Sequence, residues 1–553
     1  MPDMDIKTRT IQLIDSLKAV CGNAGLGNDG NEYKIITEIF LYKFLNDKFA
    51  HEAKRNRAYG ERLIKAEKWD AEYDKFTDEE VEDLWSYMGH NVPRLKPEHT
   101  LGHLYNASTK GGFGDMLDGT LLAIANVNAD IFSMASVGET KITIFDRITT
   151  LIQEVEQRDS FAKALVSKLA DFNFEDVFNE KYDFFSDIFE YLIKDYNTAG
   201  GGKYAEYFTP KAIATIIARL LVGDNAQLNS KTCYDPTAGS GTLLMALAHQ
   251  IGTDRCTIYS QDISQKSSQM LRLNLILNDL VDSIQNIVKG NTLTQPAHKN
   301  EDGTLRKFDY VVSNPPFKLD FSDYREDIAT DKFRFWAGVP SIPAKKKESM
   351  AIYTCFIQHV INSITANGKG AIVIPTGFIT AKSGIENKIL TRIVEDHIVC
   401  GVVSMPSNVF ANTGTNVSVL FFDKSADKTD EDTVILIDAS KMGEEYKDAN
   451  GLKKVRLNAE EIEKIVTTFR NKEAVEDFSV CVSYNDIKAK GHSLSAGQYF
   501  DIKIEYVDIT EEEFNSRMSH YKEDLSHQFA ESRELEKEIM KQLDLLKFNI
   551  DKV

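Results

Sequence analysis

Phe308-Asp309-Tyr310-Val311-Val312-Ser313-Asn314-Pro315-Pro316-Phe317 reads as a β-strand that runs straight into two prolines. Tyrosine and valine favour a pleated, half-buried backbone, whereas Pro315 and Pro316 lack the N–H that a ladder or an ordinary helix turn requires. A strand that stops on stiff, donor-free backbone presents the groups at its tip along the carboxyl edge of a sheet. Asn314 offers a side-chain carbonyl there, and Pro315 a backbone carbonyl. Two acceptors aimed at one point suit an amino group, which must lose a proton in the course of acting as a nucleophile. Phe317 adds a flat face on which a planar base could stack. Taken alone, the stretch is equally a strand followed by a proline-rich turn.

Upstream, Lys231–Tyr234 reads as a short strand leading into Asp235-Pro236-Thr237-Ala238-Gly239-Ser240-Gly241-Thr242 and a helix through His249. This is the first unit of a nucleotide-type α/β fold. Gly239 and Gly241 let a ligand approach the backbone closely, and the helix amino end favours a carboxylate or phosphate. The turn is not G-x-G-x-x-G and no Lys-Ser/Thr follows it, which excludes a Walker phosphate loop. Asp235 at its start repels phosphate and attracts an ammonium, favouring an amino-acid-like ligand over a dinucleotide. A second strand, Cys256–Gln261, ends on Asp262, about twenty residues beyond the turn, where an acidic side chain can accept from both ribose hydroxyls. A helix capped by Ser264 runs to Asn278. The third strand, Ile284–Lys289, ends at Gly290-Asn291-Thr292-Leu293, with Asn291 in reach of an adenine edge at the same lip. The strand leading to Asn314 is the fourth.

Beyond the tip, residues 318–347 form a long segment with little apolar periodicity, containing Phe333-Arg334-Phe335-Trp336 and Lys345-Lys346-Lys347. Aromatic and basic residues beside a base-binding tip point to nucleic-acid contact. A helix over 348–366 and strands at Gly370–Pro375, Ile398–Ser404, Val417–Asp423 and Thr433–Ile437 follow. Gly414-Thr415-Asn416 reads as a turn, making an antiparallel addition at the sheet's end. Alternation of strand and helix over 205–440 gives a doubly wound α/β domain.

The flanks differ. From Ile6 to about Lys168 the pattern is helical, with helices expected over 32–49, 50–75, 77–89, 99–106, 117–127 and 143–158. A further helix is expected over 183–195, then a glycine-rich connector at 197–203. In Glu206-Tyr207-Phe208-Thr209-Pro210-Lys211, Thr209 is a good N-cap and Pro210 fits the first position of a helix running to Val222. Its place just ahead of the glycine turn favours a lid over a ligand. After a turn-rich stretch, Gly491–Phe500, the tail opens on Thr510-Glu511-Glu512-Glu513, a capping-box pattern. Met518, Tyr521, Leu525, Leu535, Ile539 and Leu546 then fall on a three-four spacing interrupted by Gln528, Ser532 and Gln542. So narrow a seam wants a partner helix, from this chain or another; the alternative is a solvated helix with a weak stripe.

At 553 residues the chain is too long for one core, and three or so domains are expected. Hydrophobic content of 42% and charged content of 27% describe an ordinary globular protein. The first residues lack a signal-peptide layout, and no apolar run approaches the roughly 20 residues that cross a bilayer, so a cytoplasmic protein is expected. The six cysteines are scattered, with no metal-ligand spacing; Cys233, Cys256 and Cys400 fall inside expected strands and read as reduced thiols. No metal site is expected. A net charge of −19 argues against autonomous tight DNA binding, so a local patch or a partner must supply phosphate contacts.

Glu206-Tyr207-Phe208-Thr209-Pro210, the Asp235–Gly241 turn, Asn314-Pro315-Pro316-Phe317, the Gly491–Phe500 stretch and the helical flanks together resemble the modification (methyltransferase) subunit of type I restriction–modification systems. The likeness spans nearly the full chain. It implies a doubly wound, Rossmann-like methyltransferase sheet with an α-helical N-terminal domain and a helical C-terminal tail. The implied division is 1–168 helical, 169–445 methyltransferase, and 446–553 with a terminal helix for partner contact. The resemblance implies S-adenosylmethionine as methyl donor and the exocyclic amino group of adenine in DNA as acceptor. Glu206 to Lys211 and Ser240 to Thr242 would line the cofactor pocket, with Asp262 on its ribose. Asn314 and the Pro315 carbonyl would hold the target amine, and Phe317 would stack on an adenine flipped from the duplex. Two departures are small: Ser240 stands where threonine is frequent, and Asn291 where related amino-methyltransferases often have aspartate. Implied partners are DNA, a specificity subunit, a second modification subunit and a restriction/translocase subunit.

Rival readings use the same tip. Methylation of a protein glutamine or an RNA base is one; phenylalanine after the prolines and the large helical domain tilt toward DNA adenine. A non-catalytic scaffold is another, opposed by the intact Asp235, Gly239, Asn314 and Phe317. A standalone restriction-system methylase would need its own target-recognition region, which the roughly 100 residues after the α/β domain do not supply.

Overall fold

The structure is a computed structural model that describes residues 6–27, 30–89, 91–136, 139–175, 178, 191, 209–223, 228–410, 416–424, 427–447, 451, 453–500 and 509–544. Apart from Tyr191, the expected helix over 183–195 lies outside the described residues, as do the glycine-rich connector, Glu206, Tyr207 and Phe208, Gly414 and Thr415 of the expected turn, and Leu546 of the tail. Residues 1–500 form one compact unit and residues 501–553 a second.

The strands of the first unit, in chain order, are β1 (Met134–Ser136), β2 (Glu139–Ile142), β3 (Lys231–Asp235), β4 (Cys256–Asp262), β5 (Ile287–Lys289), β6 (Phe308–Ser313), β7 (Ile364–Pro375), β8 (Val399–Ser404), β9 (Val417–Asp423), β10 (Thr433–Asp438), the hairpin β11 (Glu444–Lys447) and β12 (Lys453–Arg456), and β13 (Ser479–Ser483). Eleven make one sheet in the order β13-β10-β8-β9-β7-β6-β3-β4-β5-β1-β2. Pairing is parallel through β5-β4-β3-β6-β7, and the strand order reverses between β4-β3 and β6. Ligands of open α/β sheets bind at such a reversal, outside the carboxyl ends of the strands.

Among the described residues, the helices of ten or more residues are α1 (Ile6–Asn23), α2 (Gly30–Arg55), α3 (Phe113–Val127), α4 (Val155–Ala170), α5 (Lys211–Val222), α6 (Thr242–Ile251), α7 (Gln265–Leu277), α8 (Tyr353–Ser363), α9 (Gly384–Glu395), α10 (Ala459–Asn471) and α11 (Glu511–Asp544). The period-2 alternation of β6 decides which face each helix covers. Tyr310 and Val312 join one apolar layer with Ile213, Leu244 and Leu271 from α5, α6 and α7, while Val311 joins the other with Phe356 and Ile389 from α8 and α9; Phe308 falls on the Val311 side because the register shifts between Phe308 and Tyr310. The first layer continues without a break into the N-terminal helices, through Ile35 and Phe40 of α2 and Leu165 of α4. The sheet also draws on both flanks, through β1–β2 at one edge and β13 at the other.

Several local expectations need correcting. The strand Val417–Asp423 is antiparallel as expected, but it lies between β7 and β8 rather than at the sheet's end. Six of its seven residues are buried, which fits a strand covered on both faces, and its backbone pairs with β7 on one edge and β8 on the other. The helix expected over 348–366 is shorter, and Ile364 already belongs to β7. Residues 284–286 are a 3₁₀ turn ahead of β5. In place of a helix over 143–158 there is a short 3₁₀ turn at Thr149–Leu151, and α4 begins at Val155. Here Thr149 is held by Asp118, which accepts from its backbone N–H at 3.0 Å and its hydroxyl at 2.7 Å. The expected 50–75 helix breaks after Arg55.

In the second unit, α11 has no buried residue, and Thr510 Oγ1 accepts from the Glu513 N–H at 3.2 Å, the hydroxyl half of a capping box. Among the described residues no helix is long and apolar enough to cross a membrane.

Candidate active site

The glycine turn and the Asn-Pro-Pro-Phe tip leave the same end of adjacent strands. Tyr234 of β3 stands opposite Val311 of β6, and one step further on the two loops are joined: Thr237 Oγ1 and Ser313 Oγ are 2.7 Å apart. Neither hydroxyl was singled out from the sequence, because each acquires meaning only when the strands pair.

The turn is built around two buried carboxylates. Asp235 Oδ1 accepts from the Thr237 N–H at 2.8 Å. Asp262, at the end of β4, accepts from the Gly239 N–H at 2.9 Å and from the Ser264 N–H at 2.8 Å. Asp262 therefore braces the turn as well as facing it, and one lone pair on each of its oxygens remains for a ligand. Asp235 is only 1% exposed. Burial pushes its carboxyl up to about 8; the Thr237 N–H pulls it down, and the nearby Asp262 charge pushes it further up. Burial also raises Asp262, against the Ser264 and Gly239 N–H groups. Among the described residues no basic side chain offsets either carboxyl, so this end of the sheet favours a cationic ligand.

Ser240 and Thr242 hydroxyls lie 3.2 Å apart at the start of α6, and the Ser240 carbonyl accepts from Asn274 Nδ2 at 3.0 Å. Gly239 and Gly241 have φ of +53° and +85°. At Gly241 the need for glycine is packing as much as ligand access, since a Cβ would lie 2.2 Å from Leu271 Cδ1 on α7. Gly241→Ala is expected to cost about 1–3 kcal/mol of stability, read as a lower denaturant midpoint at unchanged m.

On the neighbouring lip, Asn291 Oδ1 accepts from the Leu293 N–H at 3.0 Å. Asn291 thus shapes its own turn, as Asx residues do. Thr292 Oγ1 donates to the Pro236 carbonyl at 2.7 Å, tying this lip to the glycine turn.

At the tip, Asn314 Nδ2 donates to Thr209 Oγ1 at 3.1 Å. Thr209 is therefore not the N-cap that its sequence context implied; α5 is led in by Pro210 without a side-chain cap, and the threonine hydroxyl serves the tip instead. Engaging Nδ2 leaves Oδ1 as the acceptor, and neither it nor the Pro315 carbonyl receives a donor among the described residues. Pro315 is buried, and Asn314, Pro316 and Phe317 are half-buried. The Phe317 ring is edge-on to Tyr353, with centroids 6.3 Å apart at 75°, and Tyr353 packs in turn on Phe378 at 6.1 Å. Pro210 and Lys211, directly after Thr209, lead into α5.

The 318–347 segment needs one correction. Arg334 is 2% exposed and its guanidinium donates to the Thr292 and Leu293 carbonyls, so it is not available to a phosphate. Phe335 is buried too and Trp336 stacks under Arg392 at 4.3 Å, whereas Phe333 is 80% exposed.

Residues 180–507 match the N-6 DNA Methylase family. Among curated proteins, the methylase subunit of the type I restriction enzyme MpnII of Mycoplasma pneumoniae is 28% identical over 353 residues, 62% of each chain. The MjaVII methylase subunit of Methanocaldococcus jannaschii is 24% identical over 93% of this chain and 80% of its own. The chain thus matches less than two thirds of the length of the Mycoplasma protein. Among solved structures, the methyltransferase subunit of a type I restriction-modification system from Streptococcus thermophilus superposes with a TM-score of 0.68 at 20% identity, covering 90% of this chain and all of that one. That likeness shows the fold, and the family match extends from before the glycine turn to beyond the tip: this chain belongs to the N-6 DNA methylase family.

Proposed function

We propose that this chain is the catalytic modification subunit of a type I restriction–modification system, moving a methyl group from S-adenosylmethionine to the exocyclic amino group of adenine in DNA. One observation carries the reading. A pair of acceptors without donors, Asn314 Oδ1 and the Pro315 carbonyl, stands on the strand beside two uncompensated buried carboxyls, and hydroxyl contacts join the two loops.

The residues fit the cofactor chemically. Asp235 would pair with its ammonium, Asp262 would accept from its ribose hydroxyls, and Asn291 would stand toward its adenine. Thr209 to Lys211 and Ser240 to Thr242 would line the rest. When bound, the cofactor supplies a methyl group made electrophilic by a sulfonium. The chain's own task is to prepare the amine, whose lone pair is delocalised into the ring. Asn314 Oδ1 and the Pro315 carbonyl accept hydrogen bonds from the two amino N–H groups, draw the nitrogen toward tetrahedral geometry and localise that lone pair, and the one proton released on methylation passes to water. Pro315 and Pro316 hold the acceptors on stiff backbone, and Phe317, its plane set by Tyr353, stacks on a base turned out of the duplex.

The division of labour is 1–168 as a helical domain toward DNA, 169–445 as the methyltransferase and 446–553 as the partner-binding region. On α11, the exposed Phe514, Met518, Tyr521, Leu525, Leu535 and Ile539 supply the seam for a specificity subunit. That subunit reads the sequence, a second copy of this chain closes on the DNA, and a restriction/translocase subunit is a further partner of a cytoplasmic complex. Exposed Phe333, Lys345, Lys346 and Lys347 are the DNA-facing part of the 318–347 segment.

The test is tritiated methyl transfer to DNA by this chain alone and with the neighbouring gene products. Label on adenine only in the assembled complex is expected, together with weak, unselective DNA binding by the acidic chain alone. Tight sequence-selective binding by the isolated chain at physiological salt would contradict the division of labour.

A further inference from the structure

Arg334 joins the segment that follows the catalytic tip to the opposite lip of the hollow. Its own segment holds it: the Arg334 N–H and Nε donate to Asp331 at 2.9 and 3.1 Å, and its carbonyl accepts from Asn362 Nδ2 at 2.9 Å. The far end of the side chain is spent elsewhere. Nη1 donates to the Thr292 carbonyl at 2.8 Å and Nη2 to the Leu293 carbonyl, the two residues directly after Asn291. Nη1 also lies 3.4 Å from His359 Nδ1, whose other ring nitrogen is 3.1 Å from the Tyr234 hydroxyl on β3. From the other side, the Thr292 hydroxyl holds Pro236, next to Asp235.

A guanidinium sunk this deep costs several kcal/mol in lost hydration, and apolar packing would secure the segment without that cost. What apolar packing lacks is a planar fork that fixes two consecutive carbonyls at once. We infer that Arg334 is a positioning residue for the cofactor: its fork sets the Asn291–Leu293 turn against the Asp235-Pro236 turn and so builds the adenosine side of the pocket. The segment downstream of Asn-Pro-Pro-Phe therefore shapes the wall that faces the methyl donor. The inference rests on the reading that S-adenosylmethionine occupies this hollow.

Arg334→Lys keeps the charge and removes the fork. In the full-length chain it is expected to raise the equilibrium Kd for S-adenosylmethionine about tenfold or more, the loss of one charge-assisted hydrogen bond. In the assembled complex, KM for the cofactor rises in parallel, while kcat at saturating cofactor stays within about threefold of wild type. Thr292→Val cuts the turn's other tether and moves Kd the same way by a smaller factor; it decides the matter if Arg334→Lys does not fold. Unchanged Kd in the folded variants, or a fall in kcat at unchanged KM, overturns the inference alone. A wild-type chain that binds no S-adenosylmethionine overturns the cofactor reading and the inference with it.

Discussion

Asn314→Ala is expected to lower methyl transfer by on the order of 10³-fold or more while leaving S-adenosylmethionine binding measurable. The side chain supplies one of the two oxygens that localise the amine's lone pair, and the truncation leaves the Pro315 carbonyl as the sole acceptor. It also frees Thr209 Oγ1, which receives Asn314 Nδ2 at 3.1 Å. Neither change reaches Asp235, Asp262 or the glycines, whose bonds run among themselves and to Thr237 and Ser264. Loss of transfer with retained binding therefore separates the tip from the hollow. Transfer at the wild-type rate by Asn314→Ala would remove the assignment of the tip.

Asp235→Asn is expected to trade function for stability. With a folded pKa of about 8, against roughly 3.9 in the unfolded chain, Asp235 must take up a proton to fold at neutral pH. Because the folded value is the higher one, the unfavourable contribution is absent below about pH 4, grows as pH rises and levels off above about pH 8. At pH 7 it amounts to roughly 4 kcal/mol at most. Asparagine keeps an oxygen for the Thr237 N–H and has no proton to bind. The variant should therefore melt higher than wild type at pH 7, the gap closing toward pH 4, and should bind S-adenosylmethionine far more weakly. In the wild type, a cation drawn to Asp235 must displace its proton. Affinity should rise about tenfold per pH unit up to about pH 8, where the ligand's own amine begins to lose its charge. Tighter binding at pH 6 than at pH 8 would show that the carboxyl does not hold the ammonium.

The turn after β3 and the end of β6 were legible in the sequence because their signals are local. Prolines stop β6 after Ser313, glycines open the turn after β3, and Asp262 ends a strand at the spacing expected of a ribose ligand. What could not be read is what distant residues do to one another. Thr209 before Pro210 has every local mark of a helix cap, and nothing nearby in the chain tells of an amide 105 residues away that claims its hydroxyl. Arg334 among aromatics looks like a nucleic-acid contact until two backbone carbonyls some forty residues upstream are found in its fork. The place of β9 inside the sheet depends on which strands want a partner on both sides, a property of the assembled sheet. The Thr149–Leu151 turn replaces an expected helix because Asp118, on α3, captures it.

The most direct measurement is a crystal structure with sinefungin, a cofactor analogue that carries an amine at the position of the transferable methyl. With its ammonium at Asp235, the analogue should place that amine within about 3–4 Å of Asn314 Oδ1 or the Pro315 carbonyl. Sinefungin seated between the glycine turn and Asp262 with its amine directed away from both oxygens would contradict a shared reaction centre.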